Sequence, residues 1–227
     1  MLYTEENVRA CIRNQNGKRV FPLAQGDRLT PSARDWLKSE NISIVTPQAA
    51  VSYTTPFGGD FSVKPEELTH LHGNVLVPKT HPRIAFRGMI DALEAEILLC
   101  QSICDDALSA PLQEMLDFTR TLIRADVLGE PVKDTTLCGL NEDELREHSH
   151  HPEKYYGQAH FLPHFRDGRT VLQLNRLRTV VRQTELACCR AFTDSCGKCI
   201  RPDIVRALNR LSSLCWILMI RCKAGKL

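Results

Sequence analysis

No run of apolar residues in this chain is longer than seven, from Leu214 to Ile220, and Arg221 ends it. A helix that crosses a bilayer needs about 20 such residues, so no membrane span is expected. The chain also lacks a strong charge of either sign, with 29 Lys and Arg against 27 Asp and Glu and a formal net charge of +2. That balance gives no general attraction to nucleic acid or to an anionic membrane surface. Binding of a polyphosphate would have to come from local clusters of arginine and lysine. The opening MLYTEENVRAC holds no apolar stretch of the kind a secretory signal requires, and a soluble, cytosolic protein is the expectation. Ten cysteines in 227 residues, about 4%, fall short of the roughly 8–10% typical of disulfide scaffolds. Reduced thiols serving as packing residues are expected, with metal or redox roles as alternatives. No internal repeat or low-complexity tract is present.

What is there suffices for one domain with a small appendage, since 43% of 227 residues are hydrophobic. The expected division is residues 1–62, a small N-terminal α/β segment and linker, and residues 63–227, a helical bundle. In the first part Thr30 caps a helix that Pro31 opens and that runs to about Ser39, followed by a strand over Ile42–Val45. Residues 46–65 read as a linker, with three prolines and a turn at Gly58-Gly59-Asp60. In the second part the 3.6-residue periodicity predicts helices over Pro82–Ala107, Pro111–Leu128, a short stretch from Asn141, Val171–Phe192 and Pro202–Cys222. The His-rich segment 148–169 reads as an irregular loop. The fold class expected is mainly α, an up-and-down bundle of about five helices.

Two helices carry charged stripes. Arg178, Arg182 and Glu185 recur at i, i+4 and i+7, and Arg83, Arg87, Asp91 and Glu94 share a face of the earlier helix. Such stripes can be solvated faces laced with ion pairs. They can equally line a cleft where guanidinium forks meet phosphate oxygens. Spacing alone does not decide between the two.

The order of residues adds a resemblance. RTVVRQTE (Arg178–Glu185) followed by ALNRLSSLCWILMIR (Ala207–Arg221) resembles the two signature helices of propanediol-utilisation-type ATP:corrinoid adenosyltransferases, and KTHPRIAFRGMIDALEAEI (Lys79–Ile97) resembles an upstream segment of that family. RLTPSARDWL, KPEELTHLHGNVLVPKTHPRIAFRG, RADVLGEP, GLNEDEL, SHHPEKYYG and LRTVVRQTE resemble the ethanolamine-utilisation branch more closely still, so the likeness runs over nearly the whole chain.

The resemblance implies transfer of the 5′-deoxyadenosyl group of ATP to the cobalt of cob(I)alamin, giving adenosylcobalamin and triphosphate. It also implies an active site between subunits of a homo-oligomer, a trimer by family analogy. Carried over, Arg178 and Arg182 hold the triphosphate, while Lys79 and Arg83 add phosphate contacts. Glu185 and Asn209 take the adenosine, beside Arg210, and Asp91 pairs with Arg178 across the interface. Mg²⁺ on the phosphate oxygens, a reductase or flavin as reductant, and an adenosylcobalamin-dependent ammonia-lyase as client complete the set, in the cytoplasm or a bacterial microcompartment. Phe161, with Phe165 next, is the candidate for the apolar wedge that displaces the lower axial ligand of cobalamin, or else it anchors its loop.

Two departures stand out. No Gly-rich N-terminal phosphate loop is present, and Thr69–Lys79 is expected in its place. The His…Cys-Cys-x-x-Cys metal motif of some ethanolamine-branch enzymes is absent too, YTTPFGGDFSV standing there instead, so no metal ligands are assigned. Cys188, Cys189, Cys196 and Cys199 leave open a zinc site, a redox dithiol or plain packing. His148, His150 and His151 read as solvated, and His81 as the better candidate for ligand contact. Without the resemblance, the chain would read as a cysteine-rich, metal-binding helical regulator or as a structural component of a catabolic assembly, docking through LTPSARDWL.

Overall fold

The computed structural model describes residues 1–15, 18–46, 52–133 and 136–227. The chain divides into two compact units, Met1–Lys64 and Pro65–Leu227.

The first unit contains strand β1 (Leu2–Tyr3), helix α1 (Glu5–Ala10), strands β2 (Arg13–Gln15), β3 (Lys18–Pro22) and β4 (Arg28–Leu29), helix α2 (Pro31–Ser39), and strands β5 (Ser43–Val45), β6 (Tyr53–Thr54) and β7 (Asp60–Phe61). β3 pairs antiparallel with β2 and parallel with β5. Val8, Phe21, Ala33, Leu37 and Ile42 form a separate small core. The Thr30 hydroxyl accepts from the Ala33 N–H, capping α2 as expected. Asn41, at φ 53°, turns the chain from α2 into β5. Helix α1 and most of these strands were not expected, because elements of two to six residues are too short for a period to show. Of the expected linker, residues 47–51 lie outside the described residues, and part of the rest is a hairpin. β6 and β7 pair antiparallel around Gly58 and Gly59, whose φ of 87° and 100° a side chain would resist.

The second unit opens with an antiparallel pair, β8 (Leu68–His72) and β9 (Val75–Pro78), and continues as helices. These are α3 (Pro82–Ile103), α4 (Ser109–Leu128), α5 (Glu142–His150), α6 (Pro152–Tyr156), α7 (Arg169–Phe192) and α8 (Pro202–Lys223). The packing order is α4, α3, α7, α8, α5. α3 buries Phe86, Ile90, Leu93, Ile97 and Cys100, and α7 buries Val171, Leu174, Leu177, Val181 and Cys188, each a helical stripe facing one shared core. α8 is buried almost all round from Ile217 to Ile220, which makes its second half the bundle's centre. Each fully buried Leu or Ile stabilises this core by about 1.5–3 kcal/mol. α3 ends four residues before the expected Ala107 because Cys104 turns extended and Asp106–Leu108 form a 3-10 turn. The segment 148–169 is more ordered than expected. α5 runs on to His150, α6 follows, and Phe165–Asp167 make another 3-10 turn. Its two prolines and two turn glycines hid this short-range order.

Two charge clusters fasten the bundle, one around the buried Asp126 and one half-buried at Asp203. Asp126, whose side chain is 0% exposed, takes Arg83 (2.6 and 3.0 Å) on one oxygen and Arg87 (2.7 Å) on the other, so α3 is tied to α4. Arg87 also donates to the carbonyls of His70 and Leu71, which fixes β8. At the start of α8, Arg201 bonds Asp203 and the carbonyls of Ala125 and Glu130, and Asp203 accepts from the Val132 N–H. Burial alone would raise the Asp203 pKa, but the Arg201 and backbone N–H donors together hold it at about 2.

Asp126→Ala leaves two guanidinium groups facing an apolar interior, and a loss of about 3 kcal/mol is expected in denaturant titrations. Because the folded-state pKa of Asp203 lies below its unfolded value, its contribution is present above about pH 4 and is lost as pH falls toward 2. Asp203→Asn should flatten the stability-against-pH curve in that window. An unchanged acid limb would remove Asp203 as its cause.

Candidate active site

α7 and α8 pack along most of their length, and their polar residues meet at one edge of the seam. On α8, Asn209, Ser212, Ser213 and Trp216 follow i, i+3, i+4, i+7 spacing and share a face. On α7 the matching stripe is Arg178, Arg182 and Glu185. The two stripes join where Asn209 Nδ2 donates to Glu185 Oε1 at 3.1 Å. Arg210 Nη1 in turn donates to Asn209 Oδ1 at 2.9 Å, which fixes the amide's orientation, while the buried Arg210 Nε has no hydrogen-bond partner.

A cleft of about 440 Å³ opens over this seam. Arg178, Arg182 and the α8 face form one side, and Ser149, His150 and the stretch His160–Pro163 form the other. Arg178 is half-buried and donates to Asn175 Oδ1 on its own helix at 3.0 and 3.3 Å. Burial first, and the adjacent Arg182 second, push its pKa down from the usual arginine value. Arg182 is exposed and makes no hydrogen bond or ion pair among the described residues. Two cations one helical turn apart, with no carboxylate on either, form a receptor for a polyanion.

The structure thus brings together Arg178, Arg182, Glu185, Asn209, Arg210 and Phe161 of the residues expected from sequence. It does not bring Lys79, Arg83 or Asp91 to them. Lys79 pairs with Glu66 at 2.9 Å on the surface, and Arg83 is held by Asp126. Asp91 is exposed on α3 and is not a partner of Arg178 within the chain. Phe161 is half-buried, stacked on Trp216 at 5.2 Å with Lys223 Nζ 4.1 Å over its ring, which makes it an anchor of its loop. Phe165 is 71% exposed. His81 caps α3 by accepting from the Arg83 N–H at 3.2 Å. His148 is not a solvated side chain: it stacks on Tyr155 and hydrogen-bonds the Tyr156 hydroxyl at 2.7 Å. Sequence reasoning missed Trp216 and Lys223, although the i+7 spacing from Asn209 to Trp216 was visible.

Among the described residues no group of three or more His, Cys, Asp or Glu could hold a metal ion. Cys188 and Cys189 lie near Cys199, but the cysteines after the arginine stripe do not form such a group.

A sequence model of the cobalamin adenosyltransferase family matches residues 62–222. The corrinoid adenosyltransferase EutT of Salmonella typhimurium is 35% identical, covering 96% of this chain and 90% of the relative. EutT of Escherichia coli is 32% identical over the same shares. The chain belongs to the cobalamin adenosyltransferase family. A solved structure of a variant PduO-type ATP:corrinoid adenosyltransferase from Lactobacillus reuteri, complexed with cobalamin and ATP, superposes with a TM-score of 0.53 at 18% identity, covering 71% of this chain and 89% of that one. Family membership makes the chain a transferase, and the superposition shows that the helical bundle is the family's fold. The family match leaves most of the first unit outside it, whereas the two EutT relatives extend over nearly the whole chain.

The burial pattern of the thiols gives a direct check on the packing role of cysteine. With a thiol-reactive chromophore on the native protein, Cys11 and Cys196 should react rapidly, and Cys100, Cys188 and Cys215 only at the rate of unfolding. Fast modification of the buried three would show that they are not core residues.

Proposed function

We propose that this chain transfers the 5′-deoxyadenosyl group of ATP to the cobalt of cob(I)alamin, releasing triphosphate, as an enzyme of ethanolamine utilisation. The observation that carries the reading is the Arg178–Arg182 pair, two cations without a carboxylate partner among the described residues, in a cleft that Asn209 also lines, in a chain of this family. The substrate corrinoid brings its own nucleophile. The electron pair on cobalt(I) forms the new cobalt–carbon bond as the C5′–oxygen bond breaks, and the triphosphate departs with the bonding pair. No protein nucleophile is called for.

The protein's part is electrostatic and positional. Arg178 and Arg182 hold the triphosphate and stabilise the charge that grows on it as the bond breaks. Glu185 accepts from hydroxyl or amine groups of the adenosine, and Asn209, oriented by Arg210, donates to them. His160, Phe161 and Leu162 cover the opposite side and keep water from the reacting carbon. Mg²⁺ fits as a companion of the nucleotide rather than as a resident ion. The described residues supply no metal cluster of their own, and phosphate oxygens completed by water suit its ligand needs. When bound, it would neutralise part of the leaving group's charge.

The same reading makes the working form a homo-oligomer, a trimer, in which Asp91 of one copy meets Arg178 of the next and Lys79 lies toward the nucleotide, while Arg83 stays engaged with Asp126. A flavin or reductase supplies the electrons for cobalt(I), and an adenosylcobalamin-dependent ammonia-lyase takes the product, in the cytoplasm or within a microcompartment.

Arg182→Ala should lower adenosylation of chemically reduced cobalamin with MgATP by at least about 10²-fold, followed by the spectrum of the alkyl-cobalt product. Since Arg182 is exposed and unpartnered, its unfolding midpoint should shift by less than about 0.5 kcal/mol. Turnover equal to the parent's would rule the assignment out.

A further inference from the structure

The segment between α6 and α7, which faces the arginine side of the cleft, is mounted on α8 at two points. It is bounded by Gly157 and Gly168, at φ 70° and 89°, and residues 158–164 form no helix or strand. Its first half rests on Trp216, where Phe161 stacks at 5.2 Å with 25° between the planes and His160 at 5.7 Å with 13°. Its second half is held by Lys223, which donates to Asp167 Oδ1 at 2.8 Å. Asp167 Oδ2 in turn accepts from the His164 N–H at 2.6 Å, closing the 3-10 turn Phe165–Asp167. Lys223 Nζ also lies 4.1 Å from the Phe161 ring centroid, so one ammonium touches both halves. Trp216 and Lys223 are seven residues apart and share a face of α8.

A lysine in the last turn of a helix ordinarily reaches into water, where its charge complements the helix dipole. Lys223 gives up that freedom, with its side chain 32% exposed and that of Asp167 only 11%, and ordering a lysine costs rotamer entropy. What it gains are contacts with the segment. Leu162 and Phe165 stand 91% and 71% exposed there, and apolar side chains on an unfastened segment would fold back onto the protein. We propose that Lys223 is a positioning residue for adenosyl transfer, one cation that clamps Phe161 and the Asp167 turn so that His160–Leu162 stand fixed across the cleft from Arg178 and Arg182. The inference rests on the proposed function. The double task calls for a cation. An aliphatic side chain could pack on Phe161 but would not hold Asp167, and a neutral amide could reach Asp167 but would lose the attraction to the ring face.

Lys223→Met should lower kcat for adenosylation of chemically reduced cobalamin by about tenfold. KM for ATP should stay at the parent's value, because the contacts of Lys223 are with Phe161 and Asp167 and not with the α7 arginines. Lys223→Arg, which keeps a cation able to meet both partners, should recover to within about threefold. Independently of turnover, the His164 amide should exchange its hydrogen faster in Lys223→Met than in the parent. Should Lys223→Met not fold, Asp167→Asn, which removes the ion pair and leaves the lysine in place, takes the same tests. Parental kcat or unchanged exchange at His164 would overturn the inference while leaving the adenosyl transfer standing. A fall in kcat matched by a rise in KM for ATP, or one that Lys223→Arg does not recover, would mark a general structural defect and overturn it equally. A parent protein that does not adenosylate cob(I)alamin would overturn both.

Discussion

A pair of arginines one helical turn apart occurs on both long charged stripes of this bundle, and what separates the two pairs is a single carboxylate. Arg83 and Arg87 on α3 converge on Asp126, and their remaining donors reach the Leu71, His70 and Asp126 carbonyls. That pair is half-buried and held by a fully buried carboxylate, and it works as a rivet between α3, α4 and β8. Among the described residues of the chain, Arg178 and Arg182 on α7 have no such partner. Holding two like charges at a half-buried seam costs free energy, and the apolar contacts of Leu174, Leu177 and Val181 with the core must offset it. A fold that carries this cost without relieving it internally is built to have it relieved by a ligand.

The same contrast explains what could be read in the sequence. Both stripes were visible, because i, i+4 spacing is a local property of a helix. Their difference was not, because Asp126 lies about 40 residues from the arginines it neutralises and meets them only when α3 and α4 pack. Lys79 escaped for a similar reason, its partner Glu66 lying across the β8–β9 pair. The long helices were legible from their apolar periods, and their starts from Pro82 and Pro202. The pieces that escaped are those without a period: the strands of the first unit, α6, and the 3-10 turn that fixes Asp167 beneath Lys223. The ordered motifs identified the arginine set, but the role of Trp216 depended on a stacking geometry that spacing could only place on the correct face.

The cleft is asymmetric in the way the chemistry asks. Its α7–α8 side is polar and rigid, with Asn209 held between Glu185 and Arg210 so that its amide cannot rotate freely. The facing segment is aromatic and apolar, with Leu162 91% exposed at the opening. On the proposed function, the polar side would meet the leaving triphosphate and the facing segment would stand across from it. Charge stabilisation is strongest when water is kept from competing for the same oxygens.

The thiol nearest to this centre is kept out of the reaction by its surroundings. Cys215 is fully buried on α8, next to Trp216, and burial raises its pKa to about 12 although the neighbouring Arg178 pulls it the other way. At neutral pH it is therefore a protonated, apolar filler. A thiolate there would be an anion beside Arg178 and a nucleophile close to an activated C5′ carbon, and it would also be a soft ligand for cobalt. The other core cysteines, Cys100 and Cys188, are raised in the same direction by the same cause. For the proposed reaction the consequence is that packing keeps Cys100, Cys188 and Cys215 protonated and so removes competing thiolates from the interior. The nucleophile is left to the substrate and the positive charge to Arg178 and Arg182.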